Sequence, residues 1–231
     1  PQDRTAASQS DDERNDILVN GQRERSELQG AKAIAPLVNT PRSVVVLPKD
    51  VIEQTGSTTL ADALRTVPGI TFGAAEGGNP VGDRPFIRGF DSQGSTFVDG
   101  VRDLAAQTRD TFAVEQVQIV RGSDSTLGGR GSAGGSINII TKSPQTTDFV
   151  RASVSIGNAD YKHAAVDVNQ YLGNGIGVRV AGMWHDQDVA GRDAIWSRRW
   201  GVAPSITIGL ESDTRLTVSY HYLETHELPD A

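Results

Sequence analysis

The chain has 231 residues, with 22 Lys+Arg against 29 Asp+Glu, a formal net charge of −7, 25 Gly and no Cys. The length allows one large domain or two small ones, and the acidic balance argues against nucleic acid as a partner, because phosphate binding needs a basic face. The lack of Cys excludes disulfide frameworks, thiolate metal sites and cysteine nucleophiles, and leaves the compartment open.

Apolar runs stay well short of the ~18 residues of a transmembrane helix. A transmembrane barrel strand remains open, since it needs only about ten residues of weak alternation. The chain starts without Met, a basic region or an apolar core, so an exported form is expected to have lost its signal peptide already.

Residues 1–41 read as a tail. PQDRTAASQSDDERND is polar and without period, too poor in apolar groups to fold alone. One apolar patch, Ile17-Leu18-Val19, interrupts it after Asp16.

Residues 42–145 read as a small α+β domain. Ser43 to Leu47 is β-branched and lies between Pro41 and Pro48, which predicts a short strand. Ser57-Thr58-Thr59 supplies N-cap hydroxyls for a helix whose apolar residues Leu60, Ala63, Leu64 and Val67 fall at i, i+3, i+4 and i+7; Pro68-Gly69 stops it. Ile70–Phe72, Pro85–Arg88, Thr96–Asp99, Val117–Val120 and Ser136–Lys142 are further strand candidates. Gly73–Asp83 and Gly128–Gly135 are glycine-rich and aperiodic.

Residues 146–231 change pattern. Val150, Ala152, Val154 and Ile156 alternate with Arg151, Ser153 and Ser155. The same period-two alternation recurs around Val166, Val178, Ile206 and Val218, giving five strands of roughly ten residues. Short turns, among them Gly157-Asn158 and Gly173-Asn174-Gly175, imply an antiparallel meander. The polar face carries Arg151, Asp167, Arg179, His185, Arg215 and His221, while Trp200 and Tyr222 lie near strand ends on the apolar face. Periodicity admits two readings: half of a soluble β-sandwich with its apolar face inward, or a membrane sheet with that face toward lipid and the charged face toward a wet lumen.

Five segments in order bear on the choice. Leu60-Ala61-Asp62-Ala63-Leu64-Arg65-Thr66-Val67-Pro68-Gly69-Ile70, Arg84-Pro85-Phe86-Ile87-Arg88-Gly89-Phe90, Phe97-Val98-Asp99-Gly100-Val101-Arg102, Val114 to Gly122 and Gly128 to Lys142 together resemble the plug domain of TonB-dependent outer-membrane receptors. Ser123 stands where that family has Pro, and Leu127-Gly128 where Tyr-Gly is common. Thr108-Arg109-Asp110-Thr111-Phe112 is most similar to the ferric-catecholate siderophore branch.

The resemblance implies an α+β plug domain followed by antiparallel strands of an incomplete transmembrane β-barrel, in the outer membrane of a Gram-negative cell with the tail in the periplasm. Five strands cannot close a barrel, and an open edge is not tolerated in lipid. The sequence is therefore expected to be the N-terminal portion of a longer monomeric receptor. Its implied partners are a ferric siderophore, TonB and outer-membrane lipid. The Fe3+ would arrive as cargo inside its chelator, with no cofactor held by protein side chains.

Asp16, Ile17, Leu18, Val19 and Asn20 sit where the family keeps its TonB box, and a β-branched patch on a leash can add as a strand to a partner's sheet edge. Arg84, Arg102, Gln107 and Arg109, on loops expected to face outward, are candidate donors to an anionic ferric catecholate. By resemblance, Arg88 and Arg121 pair with barrel carboxylates that lock plug to wall, with partners in strands beyond this sequence. The tail is too short and polar for a signalling domain.

Catalysis finds no support. Gly129-x-Gly131-x-x-Gly134 matches a dinucleotide fingerprint formally, but a strand-like Ile137-Asn138-Ile139-Ile140 follows where a helix is needed. His163, His185, His221 and His226 lack metal-ligand spacing, and no Ser/His/Asp trio stands out.

Overall fold

A computed structural model describes residues 28–29, 43–73, 82–105, 107–123, 133–191 and 194–228. The first half opens with β1 (Ser43–Pro48) and α1 (Lys49–Gln54), then α2 (Leu60–Arg65). Thr59 caps α2 as its composition demands: its Oγ1 accepts from the Asp62 amide at 3.1 Å and donates to the Asp62 carboxylate at 2.7 Å. Leu60, Ala63, Leu64 and Val67 are buried, as their spacing requires. Gly69, at φ +83°, turns the chain into β2 (Ile70–Phe72).

Next come β3 (Pro85–Ile87), β4 (Phe90–Asp91), a 3-10 turn at Gln93–Ser95, β5 (Thr96–Val98), β6 (Val101–Arg102), β7 (Val114–Arg121) and β8 (Gly135–Thr141). They form one sheet in the order β1-β7-β8-β5-β6 and a smaller one in the order β2-β3-β4. All pairings are antiparallel except β5 with β8. Leu60, Leu64 and Ile52 pack with Val117, Ile119, Ile137 and Ile139 into one apolar core. Each such fully buried Leu or Ile contributes roughly 1.5–3 kcal/mol. Gly134 and Gly135 admit β8 to this packing, since a Cβ would lie 2.5 Å from the Ile87 carbonyl oxygen at the first and 2.1 Å from that of Val120 at the second.

The second half is a meander: β9 (Phe149–Ile156), β10 (Lys162–Gly173), β11 (Ile176–Asp188) and β12 (Trp196–Ile208), followed by β13 (Leu216–Ser219) and β14 (Tyr222–Leu228), which both pair with β12. β13 and β14 are one strand with a gap at Tyr220-His221. Pro204 causes it. Tyr220 N donates to the Pro204 carbonyl at 3.0 Å, and Pro204 has no N–H to return. Alternation survives the gap, so Leu216, Val218, Tyr220 and Tyr222 share one face.

The soluble-sandwich reading fails on burial. Val150, Val154, Ile156, Trp184, Trp200, Ile208, Leu216 and Val218 are exposed, whereas Asp167, Asn169, Arg179, His185, Arg199, Ser205 and Thr207 are buried. The polar face of the meander is closed by the first domain, and the apolar face looks outward. That inverts a soluble protein and matches a barrel wall seen from lipid.

Candidate functional site

Among the described residues, the first domain packs on the meander at two main points. In the first, Arg179 of β11 makes a forked contact with Asp167 of β10, with both N–H···O distances at 2.8 Å. It also reaches Glu115 of β7 at 2.9 Å and donates to the Ser143 carbonyl at 2.9 Å. Lys142, just past β8, closes on Asp167 at 2.9 Å, and burial lowers its pKa against the pull of that carboxylate. Lys49 stands 3.8 Å from Glu115 as well, so three cations share two anions, and this pairing is how the buried charge is tolerated. The Arg179 guanidinium also lies 5.2 Å from the Phe149 ring centroid.

The second point is a peg, Asp110-Thr111-Phe112. Phe112 lies against Gly201 of β12, where a Cβ would come within 2.9 Å of the ring, and stacks on His221 at 5.3 Å. Ala181, Met183 and Ala113 complete the contact. Asp110 faces the buried Arg199 at 3.3 Å. Burial pushes its pKa up to about 6 in spite of that arginine and of the Phe112 and Thr111 amides. Between the first domain and β9–β10 lies a cavity of about 350 Å³, lined by Lys49, Lys142, Arg151, His163 and Asp167 among others.

Three of the four candidate ligand donors, Arg84, Gln107 and Arg109, lie on loops, whereas Arg102 ends strand β6. Arg109 is nine-tenths buried: its guanidinium holds Asp103 at 2.7 Å and Asp83 at 3.4 Å, and donates to the Ala105 and Gln107 carbonyls at 3.0 and 3.3 Å. Its own amide donates to Asp83 at 3.0 Å. Burial raises the Asp83 pKa against these contacts. At Asp103 burial acts the same way, but the Ala105 amide and Arg109 outweigh it and the pKa falls. Arg109 is thus the knot of the loop. Gln107 is exposed, 3.4 Å from Asp103. Arg84 pairs with Asp91 at 3.1 Å over the Phe86 ring, and Arg102 donates to the Gly94 carbonyl over the Phe97 ring. Among the described residues, Arg84 pairs through Nε alone and Arg102 has no ion pair, so both keep further guanidinium N–H groups available.

Arg88 and Arg121 lie near the β3–β4 turn and the end of β7. Among the described residues neither forms an ion pair, and Arg121 Nε is buried without a hydrogen-bond partner. Arg88 has φ +53°, and its guanidinium lies 3.9 Å from the Cβ position of Gly122. Asp16, Ile17, Leu18, Val19 and Asn20 fall outside the described residues.

Sequence reasoning did not single out the contacts that join the first domain to the meander: Glu115 and Lys142 with Asp167 and Arg179, and Asp110 with Arg199. Two unlike charges in the middle of adjacent alternating strands, on the polar face, were the available signal for Asp167 and Arg179.

Residues 36–136 match the TonB-dependent Receptor Plug Domain family. The chain is 52% identical over 202 residues to the probable TonB-dependent siderophore receptor PiuA of Acinetobacter baumannii, covering 87% of this chain and 27% of that protein. To the catecholate siderophore receptor Fiu of Escherichia coli K12 it is 41% identical over 197 residues, covering 84% and 26%. The crystal structure of PiuA matches with a TM-score of 0.84 over 88% of this chain and 29% of that one. The open form of Fiu matches with a TM-score of 0.80 at 37% identity, over 88% and 30%.

The chain belongs to the TonB-dependent receptors and carries their plug domain with the first antiparallel strands of the barrel. Its place is the Gram-negative outer membrane. It spans about a quarter of the length of the curated relatives it matches.

Proposed function

We propose that the receptor containing this chain binds a ferric siderophore of the catecholate type and imports it under the drive of TonB. The observation that carries this is the packing of a plug domain against the polar face of a meander whose apolar face is bare. A ligand entering from outside then meets plug loops, and the route inward runs between plug and wall. The kinship with PiuA and Fiu supports a siderophore as cargo, and these relatives are transport receptors rather than enzymes.

In this reading Arg84, Arg102 and Gln107 offer donors to the anionic chelate, while Arg109 orders the loop that presents Gln107. Asp16 to Asn20 form the coupling segment that adds to the sheet edge of TonB. Arg88 and Arg121 meet carboxylates of later barrel strands. The receptor works as a monomer.

The test is a titration of the receptor with ferric catecholates and ferric hydroxamates, followed by tryptophan quenching. Saturable quenching by catecholates supports the reading, and equal indifference to all of them ends it. Deleting residues 16–21 is expected to abolish uptake while sparing binding.

A further inference from the structure

The plug sheet has a second face. Val117 and Ile119 of β7 point into the apolar core, so Gln116 and Gln118, offset by one residue, lie on the other side with Asn138 of β8 directly opposite Gln118. All three are buried. Their amides form a relay. Asn138 Nδ2 donates to Gln118 Oε1 at 3.1 Å, and Gln118 Nε2 donates to Gln116 Oε1 at 2.7 Å.

The relay is completed by the N-terminal tail. The backbone N–H of Gln29 donates to Gln116 Oε1 at 3.2 Å, and its carbonyl accepts from Gln118 Nε2 at 2.7 Å. Two side-chain amides thus satisfy both polar groups of one residue's main chain, as a neighbouring strand would. At its far end Asn138 Oδ1 accepts from the Gly100 amide at 3.0 Å, in the turn between β5 and β6. That hairpin carries Arg102 and leads to Asp103, the partner of Arg109.

We propose that Gln116, Gln118 and Asn138 form a docking site for the tail of this same chain, clamping its backbone at Gln29 and so setting the reach of the Ile17-Leu18-Val19 segment. The functional meaning rests on the coupling role proposed above. From a clamp at Gln29, about 10 residues run to Val19 and reach at most about 35 Å. From β1 at Ser43, about 24 residues reach roughly 80 Å. Opening the clamp more than doubles the radius in which the segment can find its partner. The clamp reads main chain, so it constrains position and leaves the identity of residue 29 free.

Trypsin tests this, because Arg25 and Lys32 flank Gln29. The receptor purified from its outer membrane is digested as parent, Gln29→Ala, Gln29→Pro, Gln118→Leu and Gln118→Glu. Gln29→Ala keeps the backbone groups and should cleave at these two sites at the parental rate. Gln29→Pro removes the N–H, and both Gln118 variants remove the donor to the Gln29 carbonyl. Each should cleave about tenfold faster. Gln29→Pro lies outside the folded plug, so it remains informative if Gln118→Leu disturbs folding. Parental rates in Gln29→Pro and Gln118→Glu overturn the clamp, as does equal acceleration in Gln29→Ala. Uptake that survives deletion of residues 16–21 would remove the coupling role, while the cleavage contrast judges the clamp independently.

Discussion

Arg179 and Asp167 are joined by two parallel hydrogen bonds of 2.8 Å across the β10–β11 ladder, on the face that the plug covers. Arg179 is 1% exposed, and it reaches out of its own sheet to Glu115 of the plug at 2.9 Å. The pair is therefore part of the barrel wall and of the plug contact at once. Two adjacent wall strands that each carry an unlike charge mid-strand supply two members of a five-charge cluster, and Glu115, Lys142 and Lys49 supply the others.

Removing one member of that cluster leaves a buried charge unmatched. Asp167→Asn is expected to cost about 3–5 kcal/mol, because Arg179, Lys142 and Lys49 then face Glu115 alone. Replacing both partners, as Arg179→Met with Asp167→Leu, should cost clearly less, since one cation and one anion are lost together and the balance among Lys49, Lys142 and Glu115 stays that of the parent. Thermal unfolding followed by tryptophan fluorescence decides it. A double variant as unstable as Asp167→Asn would show that hydrogen-bond geometry, rather than charge balance, dominates the cluster.

The Phe112 peg depends on a glycine that sequence alone does not explain. Gly201 sits mid-strand, where a glycine weakens pairing, and its reason is the Phe112 ring 2.9 Å from the site of a Cβ. Gly201→Val should displace the peg and destabilise the plug contact by at least about 1–3 kcal/mol. Phe112→Ala should cost about 3–5 kcal/mol by leaving a cavity among Ala181, Met183 and Gly201. The two lesions overlap, so their combination should fall well short of the sum in the same unfolding measurement.

Asp110 gives the plug contact a pH signature. Its pKa stands near 6 in the folded protein against 3.8 without the fold, with burial the largest cause. The native state therefore binds more protons than the unfolded state between these values, and stability falls as pH rises from about 4 to about 6. Asp110→Asn cannot titrate and keeps an acceptor for the Phe112 amide. Its unfolding midpoint should be flatter than the parent's across this window. Parallel profiles for the two proteins would sink the assignment.

Much of this architecture is written locally. The period-two rows of β9, β11, β12 and β13 are legible because each strand must offer one face to lipid and one to the plug. β10 is legible only from Val166 on, because Ala164-Ala165 breaks the alternation at its start. α1 is invisible: six residues with Ile52 as its one buried apolar residue show no period. Which face is wet cannot be read from alternation, since a sandwich and a barrel wall share the pattern. That required the plug. Plug–wall pairs are hidden for another reason. Glu115 and Arg179 are 64 positions apart, and Asp110 and Arg199 are 89 apart, so only the folded chain brings them together. Arg109 looks like a surface cation in sequence, yet Asp83, 26 positions away, draws it inside.

That burial separates Arg109 from its neighbours in how it should act. Arg109→Ala leaves Asp83, itself 4% exposed, without its cation, and frees Asp103 and the segment that bears Gln107. The expected result is a loss of about 3–5 kcal/mol in stability together with weaker ferric-siderophore binding. Arg84→Ala and Arg102→Ala remove surface donors whose local partners are an exposed carboxylate and a carbonyl. They should change stability by less than about 1 kcal/mol while weakening binding. Adding Asp83→Asn to Arg109→Ala should restore part of the stability by removing the stranded carboxylate, yet little of the binding, because Gln107 stays unplaced. Unfolding midpoints and fluorescence titrations on the same preparations separate these effects. A variant at Arg109 with parental stability and selectively lost binding would instead make this arginine a direct ligand contact.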